Sequence, residues 1–194
     1  MIAYRLHFND ANLHAIRVAQ SGELGELRYF GSLFGLQVKE GNIRTRRALG
    51  GGTSFDIGIY CINAARYLFR NDPVEVVGIT ANNGEKRFTE IEEMAAAIMR
   101  FPDERLATLT CSFGSAATAD YELVGTKGHL RMENAYEYQD KIKCVTTKDG
   151  KTSEEIFRPS DQFAPELIYF SDCILHDRTP EPSGKEGLGR CSRD

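Results

Sequence analysis

Apolar residues recur along this chain with two spacings, one typical of helices and one typical of strands. In the part of the chain before Pro73 these spacings predict four elements. They are a strand over residues 2–8, a helix from Asn9 or Asp10 to about Gln20, a long strand within residues 24–38, and a helix from about Thr53 to Arg70. A polar loop that carries arginines is predicted over residues 39–52, between the second strand and the second helix.

After Pro73 the pattern changes to short apolar runs bounded by turn residues, which indicates strands. The predicted strands cover residues 74–80, 93–101, 105–113, 121–133 and 140–147, with shorter material up to Phe157. Turn residues at 102–103, 126–128 and 149–150 lie where hairpins between these strands need them. A last helix is predicted over about residues 164–177.

Helices early and late around a run of strands predict an α+β fold, with an open, mostly antiparallel sheet and helices on one face. The strand at 105–113 shows how the two faces differ. Its alternation places Ala107, Leu109, Cys111 and Phe113 on one side and Leu106, Thr108, Thr110 and Ser112 on the other. The first side is apolar enough to pack under helices. The second is mildly apolar, so we expect it to meet a partner, such as a second copy of the chain in a homodimer or homotetramer.

The bulk composition is that of an ordinary globular protein. With 194 residues, 41% hydrophobic and 27% charged, the chain is long enough for one core, and we predict a single domain over residues 1–194. The sequence has no apolar run of membrane-spanning length, so we expect no membrane association. The formal net charge of −4 gives no general attraction to nucleic acid. Arg44, Arg46 and Arg47 form the one dense basic patch, which is too small to change that expectation.

The cysteines and the first residues indicate the compartment. Five cysteines are widely spaced, without any C-x-x-C pair, which argues against a zinc site and against a disulfide framework. We therefore expect reduced thiols and a cytoplasmic protein. The start of the chain lacks the features of a secretory signal, and its alternating apolar run looks like a strand entered midway, as if another segment preceded it.

The segment from Gly50 to Tyr60 carries the clearest candidate chemistry. Gly50, Gly51 and Gly52 precede a predicted helix whose first turn holds Asp56, and Tyr60 follows four residues later. That spacing places a carboxylate and a phenol on one helical face, and the glycines leave room for a ligand to approach. A site that acts on hydroxyl groups can be built in this way. The same residues are also compatible with a tight turn and an aspartate that only caps the helix.

Several familiar motifs are missing from the sequence. There is no G-x-G-x-x-G after a strand and no Walker-type loop, so we expect no nucleotide site built by this chain alone. The three glycines give at most a weak signal for anion binding at a helix start. No histidine has the spacing of a metal ligand pair, and no metal site is predicted. Among the histidines, His7 is the candidate for a substrate contact, because it lies just before the first predicted helix.

Four segments, in this order and spacing, resemble the C-terminal half of the glucose-fructose oxidoreductase and inositol dehydrogenase (Gfo/Idh/MocA) family. They are residues 3–12, 46–69, 73–80 and 121–133, and the resemblance covers about residues 1–188. Its most specific part is the pattern GGG-x-x-x-DIG-x-Y at residues 50–60. Members of that family are NAD(P)-dependent sugar or cyclitol oxidoreductases. They combine an N-terminal Rossmann domain with an α+β domain whose open sheet forms the oligomer interface.

The resemblance implies roles for individual residues. Asp56 and Tyr60 would be catalytic and face the substrate, and the substrate contacts would be Arg5, His7, Arg44, Gly51 and Gly52. A tyrosine at position 60, where many relatives have histidine, places the chain nearer the NADP-using sugar oxidoreductases. The catalytic lysine of the family's E-K-P motif would lie upstream and has no counterpart here. Because a phenol is a poor base at neutral pH, we expect Tyr60 in this chain alone to donate a hydrogen bond.

Two departures from the family pattern bear on these expectations. After residues 182–188 the family continues into a further helix, whereas this sequence ends in GRCSRD, which suggests a truncation, a frameshift or an artificial end. The basic loop has Asn42, Ile43 and Arg44 where relatives often carry a Trp-Arg pair, which leaves a substrate role for Arg44 open.

Two functional hypotheses therefore remain. The first is the substrate-binding and oligomerisation domain of an NAD(P)-dependent sugar or polyol oxidoreductase, inactive and without tightly bound NADP or NAD when separated from its Rossmann domain. The second is a non-catalytic binding or assembly module of the same fold, in which Asp56 caps a helix and Tyr60 belongs to the core.

Overall fold

Pro180, Pro182 and Gly184 predict a loop after the last helix. The computed structural model of the protein describes residues 1–181, so most of that loop and the atypical end of the chain lie outside the described residues. Three α-helices and eight strands form the fold. The helices are α1 (Asp10–Ser21), α2 (Ile59–Phe69) and α3 (Phe163–Leu175). The strands are β1 (Leu27–Gln37), β2 (Glu75–Ala81), β3 (Met94–Phe101), β4 (Arg105–Ser112), β5 (Gly114–Gly125), β6 (Gly128–Glu133), β7 (Ile142–Lys148) and β8 (Lys151–Phe157).

All eight strands belong to one sheet, in the order β2-β3-β4-β1-β5-β6-β7-β8. The first strand lies in the middle, parallel to β4 and antiparallel to β5. Every other neighbouring pair is antiparallel, and β3–β4, β5–β6 and β7–β8 are hairpins closed at the predicted turns. The predicted α+β fold with an open, mostly antiparallel sheet is confirmed.

Helices α1 and α2 contact each other and the sheet, and the core lies between them. The strand β4 shows the predicted division of faces: Ala107, Leu109 and Cys111, with Phe113 just after it, are buried. On the other side Leu106 is exposed, whereas Ser112 is buried where the chain bends into β5. Burial of one large aliphatic side chain, such as Leu109, stabilises the fold by about 1.5–3 kcal/mol.

The face of the sheet that α1 and α2 do not cover exposes large apolar side chains. Val77 on β2 pairs with Ile98 on β3, and both side chains are exposed, as are Leu33, Ile79 and Leu106. The strand β2 is exposed along its whole length and forms one edge of the sheet. We refer to this surface as the outer face.

The strand predicted over residues 2–8 is wrong. Residues Arg5–Phe8 form a 3-10 turn, and the backbone N–H groups of His7 and Asn9 donate to the carbonyl groups of Tyr4 and Leu6. The apolar alternation that suggested a strand reflects packing of this turn on helices: the turn contacts α1 and α3, and Leu6 packs against the core.

The helix boundaries follow from capping residues. The Asn9 side chain accepts a hydrogen bond from the backbone N–H of Asn12, and Gly22 ends α1 in a left-handed conformation, close to the predicted ends at Asn9 or Asp10 and at about Gln20. The second predicted helix begins with a π-helical turn, Ser54–Gly58, before α2. The sequence missed the first half of β5, because its small and polar residues lack apolar alternation. No helix within residues 1–181 is long and apolar enough to cross a bilayer.

Candidate functional site

The three glycines form a tight loop whose shape depends on Gly51. The N–H groups of Gly51 and Gly52 donate to the carbonyl oxygens of Arg46 (2.9 Å) and Arg44 (3.1 Å). A Cβ atom on Gly51 would lie 2.4 Å from the Arg44 carbonyl oxygen and 2.7 Å from that of Arg46. Since both obstacles are backbone atoms, any other residue at position 51 forces the loop to open. The loop fixes the backbone of Arg44 in front of the helix.

The N-terminus of the helix that follows is already occupied by an acidic side chain. The Ser54 N–H donates to Glu92 Oε1 at 3.0 Å, and the Thr53 hydroxyl donates to the Glu92 carbonyl at 2.9 Å. The Asp56 N–H donates to the Gly52 carbonyl at 3.1 Å. A carboxylate at this position neutralises the helix dipole and repels other anions. The weak expectation of anion binding at the glycines therefore has no support in the structure.

Asp56 is the acidic group of the site, and Arg44 holds it. Arg44 Nε donates to Asp56 Oδ2 at 2.6 Å, with 31% of the Asp56 side chain and 45% of the Arg44 side chain exposed. Within residues 1–181 this is the one hydrogen bond that the Asp56 side chain makes. The second oxygen, Oδ1, can therefore accept a hydrogen bond from a ligand, and solvent has access to the carboxylate.

The π-helical turn sets the direction of Asp56. Ile57 and Gly58 are buried, and a Cβ atom on Gly58 would lie 3.2 Å from Cys111 Sγ on β4, so the turn is held close to the sheet. Asp56 remains partly exposed at the start of the helix. In a π turn the bonded groups belong to residues five positions apart, so residues 56 and 60, four positions apart, stay near one face of the helix. Single π turns occur frequently at functional sites.

Tyr60 lies in an aromatic cluster beside that turn. Its ring meets Phe34 edge-on with centroids 5.7 Å apart, and the Tyr136 ring at 6.0 Å. Tyr136 is itself buried, and its hydroxyl lies 2.6 Å from Ser32 Oγ. Tyr60 is only partly buried, so its ring is packed on the core side while part of the side chain reaches the surface.

Arg5 reaches Tyr60 from the turn at the start of the chain. Its Cζ atom lies 5.3 Å from the centroid of the Tyr60 ring and 5.2 Å from that of Tyr138. Nη1 donates to Gln162 Oε1 at 2.9 Å, and Nη2 donates to the Tyr136 carbonyl. The guanidinium is thus bound to the protein at both terminal nitrogens.

His7 occupies a different place from the other predicted residues. Its ring packs edge-on against Tyr67, with centroids 4.3 Å apart, and it lines an apolar cavity with Asn12, Asn63 and Tyr121. Tyr67 follows Tyr60 by seven residues, about 10 Å along a helix axis. The structure therefore brings Arg44, Gly51 and Gly52 together with Asp56, and Arg5 together with Tyr60, while His7 lies two helical turns away.

Four residues around the site were not predicted. Two contact Tyr60 or Arg5 through aromatic rings, namely Tyr136 and Tyr138. Gln162 accepts a hydrogen bond from Arg5, and Glu92 accepts one from the Ser54 N–H. The two tyrosines stand in a polar stretch after the strand predicted to end at residue 133, and aromatic residues in such a loop were the available signal. Neither Gln162 nor Glu92 has a local sequence feature that marks it.

Among the described residues, neither a reactive thiol nor a metal-binding cluster adds to the site. Burial raises the pKa of the Cys61 thiol to about 11, and burial beside Cys61 raises that of Cys111 to about 12. Both thiols remain protonated at neutral pH and are poor nucleophiles. Within residues 1–181 no cluster of three His, Cys, Asp or Glu side chains is placed to hold a metal ion.

Comparison with known proteins decides the family. The family model described as GFO/IDH/MocA C-terminal domain matches residues 13–131. The chain belongs to the GFO/IDH/MocA family. The resemblance seen in the glycine and Asp-x-x-x-Tyr segment is thereby confirmed.

Two curated relatives of this GFO/IDH/MocA domain are named for sugar substrates. D-xylose 1-dehydrogenase [NADP(+)] of Haloarcula marismortui is 32% identical over 194 residues, covering 97% of this chain and 54% of that protein. A dTDP-3,4-didehydro-2,6-dideoxy-alpha-D-glucose 3-reductase of Saccharopolyspora spinosa is 34% identical over 157 residues, covering 78% of this chain and 46% of that protein. The chain spans about half the length of these two relatives.

Solved structures confirm the architecture of the GFO/IDH/MocA domain. The aldose-aldose oxidoreductase from Caulobacter crescentus, complexed with glycerol, superposes with a TM-score of 0.90 at 32% identity, covering 97% of this chain and 57% of that one. The 3-ketoreductase KijD10 from Actinomadura kijaniata, in complex with NADP and TDP-benzene, has a TM-score of 0.83 at 23% identity, which shows a shared fold.

Proposed function

We propose that this chain is the substrate-binding and oligomerisation domain of an NADP-dependent sugar or cyclitol oxidoreductase. Such an enzyme transfers hydride between a hydroxyl-bearing carbon and nicotinamide. The observation that carries the proposal is the partly exposed Asp56 carboxylate, held by Arg44 at 2.6 Å and followed four residues later by Tyr60. The NADP-dependent sugar dehydrogenase among the relatives supports both the substrate class and the choice of NADP over NAD.

The pair of Asp56 and Tyr60 supplies the proton chemistry of this proposal. Oxidation of a hydroxyl group to a carbonyl group releases the hydroxyl proton, and a positioned side chain must accept it. Arg44 engages Asp56 Oδ2, which aims Oδ1 toward a bound hydroxyl. The Tyr60 hydroxyl donates a hydrogen bond to the same sugar oxygen, and in the reverse direction the protonated Asp56 returns the proton to that oxygen.

The remaining predicted residues shape the substrate pocket in this proposal. Gly51 and Gly52 hold the backbone of Arg44 through the hydrogen bond from the Gly52 N–H, so their contribution is to place Arg44 and Asp56. His7 lies two helical turns from Tyr60. We propose that His7 contacts the substrate only if the substrate extends along α2.

The described residues do not fit a dinucleotide. A phosphate-binding loop needs free N–H groups at a helix start, and here the Ser54 N–H is bound to the Glu92 carboxylate. Within residues 1–181 no glycine-rich turn joins a strand to a helix in the manner of a dinucleotide site. We therefore propose that NADP is held by a part of the native protein outside this chain, and that the isolated chain is inactive and binds no dinucleotide tightly.

The outer face supports the proposed oligomer. Leu33 on β1, Val77 and Ile79 on β2, and Ile98 on β3 are large, exposed and apolar, and all belong to one sheet. A second copy of the chain would cover them in a homodimer or homotetramer. The buried, free cysteines of the described region, Cys61, Cys111, Cys144 and Cys173, support a cytoplasmic location, where thiols stay reduced.

The test combines the length of the native polypeptide with its activity. An antibody raised against this chain should detect a band larger than 21.7 kDa by a domain of ~100 residues or more. The purified native protein should then form NADPH with D-xylose or another aldose, whereas residues 1–194 alone should not. A native band of 21.7 kDa without NADP-dependent activity would instead establish the non-catalytic module.

A further inference from the structure

Arg5 is held in place by other protein groups, which engage both of its terminal nitrogens through hydrogen bonds and its guanidinium through aromatic rings. Nη1 and Nη2 donate to Gln162 and to the Tyr136 carbonyl, and the guanidinium carbon lies within 5.3 Å of two aromatic rings. Gln162 is only 1% exposed, so the acceptor itself cannot move far. The guanidinium is therefore a fixed cation rather than a mobile surface group.

We propose that Arg5 is a positioning residue, which holds the ring of Tyr60 in the orientation that brings its hydroxyl to the substrate beside Asp56. The inference rests on the proposed function and adds a residue to it. A tyrosine side chain turns about two bonds, and packing restrains it on the core side through Phe34 and Tyr136. Arg5 restrains it on another side, since the ring face attracts the cation.

Arginine suits this role better than lysine. Its planar guanidinium can donate two hydrogen bonds in fixed directions while it stacks on aromatic rings, and it keeps its charge at all working pH values. A lysine ammonium would retain the charge but could not make both contacts and lie flat over the rings of Tyr60 and Tyr138.

The same contacts join three distant parts of the chain at Tyr60. Arg5 precedes α1, Tyr138 follows β6, and Gln162 immediately precedes α3. The position of the ring thus depends on the turn at the start of the chain and on the residue that leads into the last helix. A change in Arg5 should therefore disturb Tyr60 without touching the Arg44 and Asp56 pair.

The test is a double-mutant cycle in the native protein that contains this chain. Arg5→Met should lower kcat for the preferred aldose by ~10-fold to ~100-fold, with KM changed by less than ~3-fold. Arg5→Lys should recover part of that loss. In a Tyr60→Phe background, Arg5→Met should lower kcat by less than a further ~2-fold, because the hydroxyl that Arg5 positions is already gone. Arg28→Met, which removes an exposed arginine paired with Glu26, is the control and should change neither parameter.

Two results would overturn the proposal. If Arg5→Met raises KM and its effect multiplies with that of Tyr60→Phe, then Arg5 binds substrate directly. If Arg5→Met and Arg5→Lys leave kcat unchanged, then Arg5 serves stability only. An inactive wild-type protein would count against the proposed function alone. In that case NMR of the Tyr60 ring decides the inference, with the ring resonances assigned by comparison with Tyr60→Phe. These resonances should shift in Arg5→Met and not in Arg28→Met. Resonances that do not shift in Arg5→Met would refute the inference.

Discussion

Substitution of Gly51 by alanine tests how the site is built. The added Cβ atom would lie 2.4 Å and 2.7 Å from the carbonyl oxygens of Arg44 and Arg46, distances that real side chains do not reach. Backbone atoms on both sides leave no flexible group to move away. The loop must open, and the hydrogen bonds donated by Gly51 and Gly52 are lost with it.

The size of the effect follows from those bonds. Each backbone hydrogen bond contributes a net ~0.5–1.5 kcal/mol, so the loss of two lowers the free energy of unfolding by ~1–3 kcal/mol. The Arg44 and Asp56 ion pair is partly exposed and adds at most about 1 kcal/mol. We expect a total loss of about 1–4 kcal/mol in Gly51→Ala, because the opened loop also loosens that pair.

Urea unfolding followed by circular dichroism measures this difference. Gly78→Ala is the matched control, since its Cβ atom would lie 3.6 Å from the Ala96 carbonyl oxygen, an ordinary contact. The control should not lower the free energy of unfolding by more than ~0.5 kcal/mol. If Gly51→Ala is as stable as Gly78→Ala, the tight loop described above does not exist in solution and the account of how Asp56 is placed is wrong.

Three further predictions concern parts of the fold outside the site. Arg70 ends α2 with φ at 54°, so Arg70→Gly should raise the free energy of unfolding by ~1 kcal/mol in the same urea assay. Burial raises the pKa of Glu166, so just above the ordinary glutamate range the folded state holds a proton that the unfolded state has lost. The free energy of unfolding of the wild type should therefore fall, relative to that of Glu166→Gln, as the pH rises through this range. Thermal melts recorded across pH measure this difference. Cys61 and Cys111 should resist a disulfide reagent at pH 8 in the native protein and react once it is unfolded, because burial keeps both protonated.

Periodicity was sufficient for the parts of the fold where one face is buried and the other is not. The strand β4 alternates cleanly, and α1 has a capping residue at each end, so both could be predicted from the sequence. Residues 2–8 also alternate, yet they pack on helices and have no neighbouring strand. Alternation reports which side chains are buried, and it does not report what buries them.

Spacing alone pointed to the site only where its residues are close in sequence. Asp56, Tyr60 and the glycines stand within one segment, so their spacing could be interpreted. The contacts of Arg5 with Gln162 and with the carbonyl of Tyr136 join positions separated by 157 and 131 residues. Such contacts depend on how the turn before α1 docks beside α3, and no local pattern encodes that.

The most direct test of the account is the turnover of the native protein after Asp56→Asn. Asparagine keeps the size of the side chain and removes the charge and the basic oxygen. If Asp56 assists proton transfer from the sugar hydroxyl, kcat should fall by ~10²-fold or more, while Asp149→Asn, an exposed change in the turn between β7 and β8, leaves it unchanged. Unchanged turnover in Asp56→Asn would contradict the account, because the account assigns acceptance of the hydroxyl proton to the carboxylate held by Arg44.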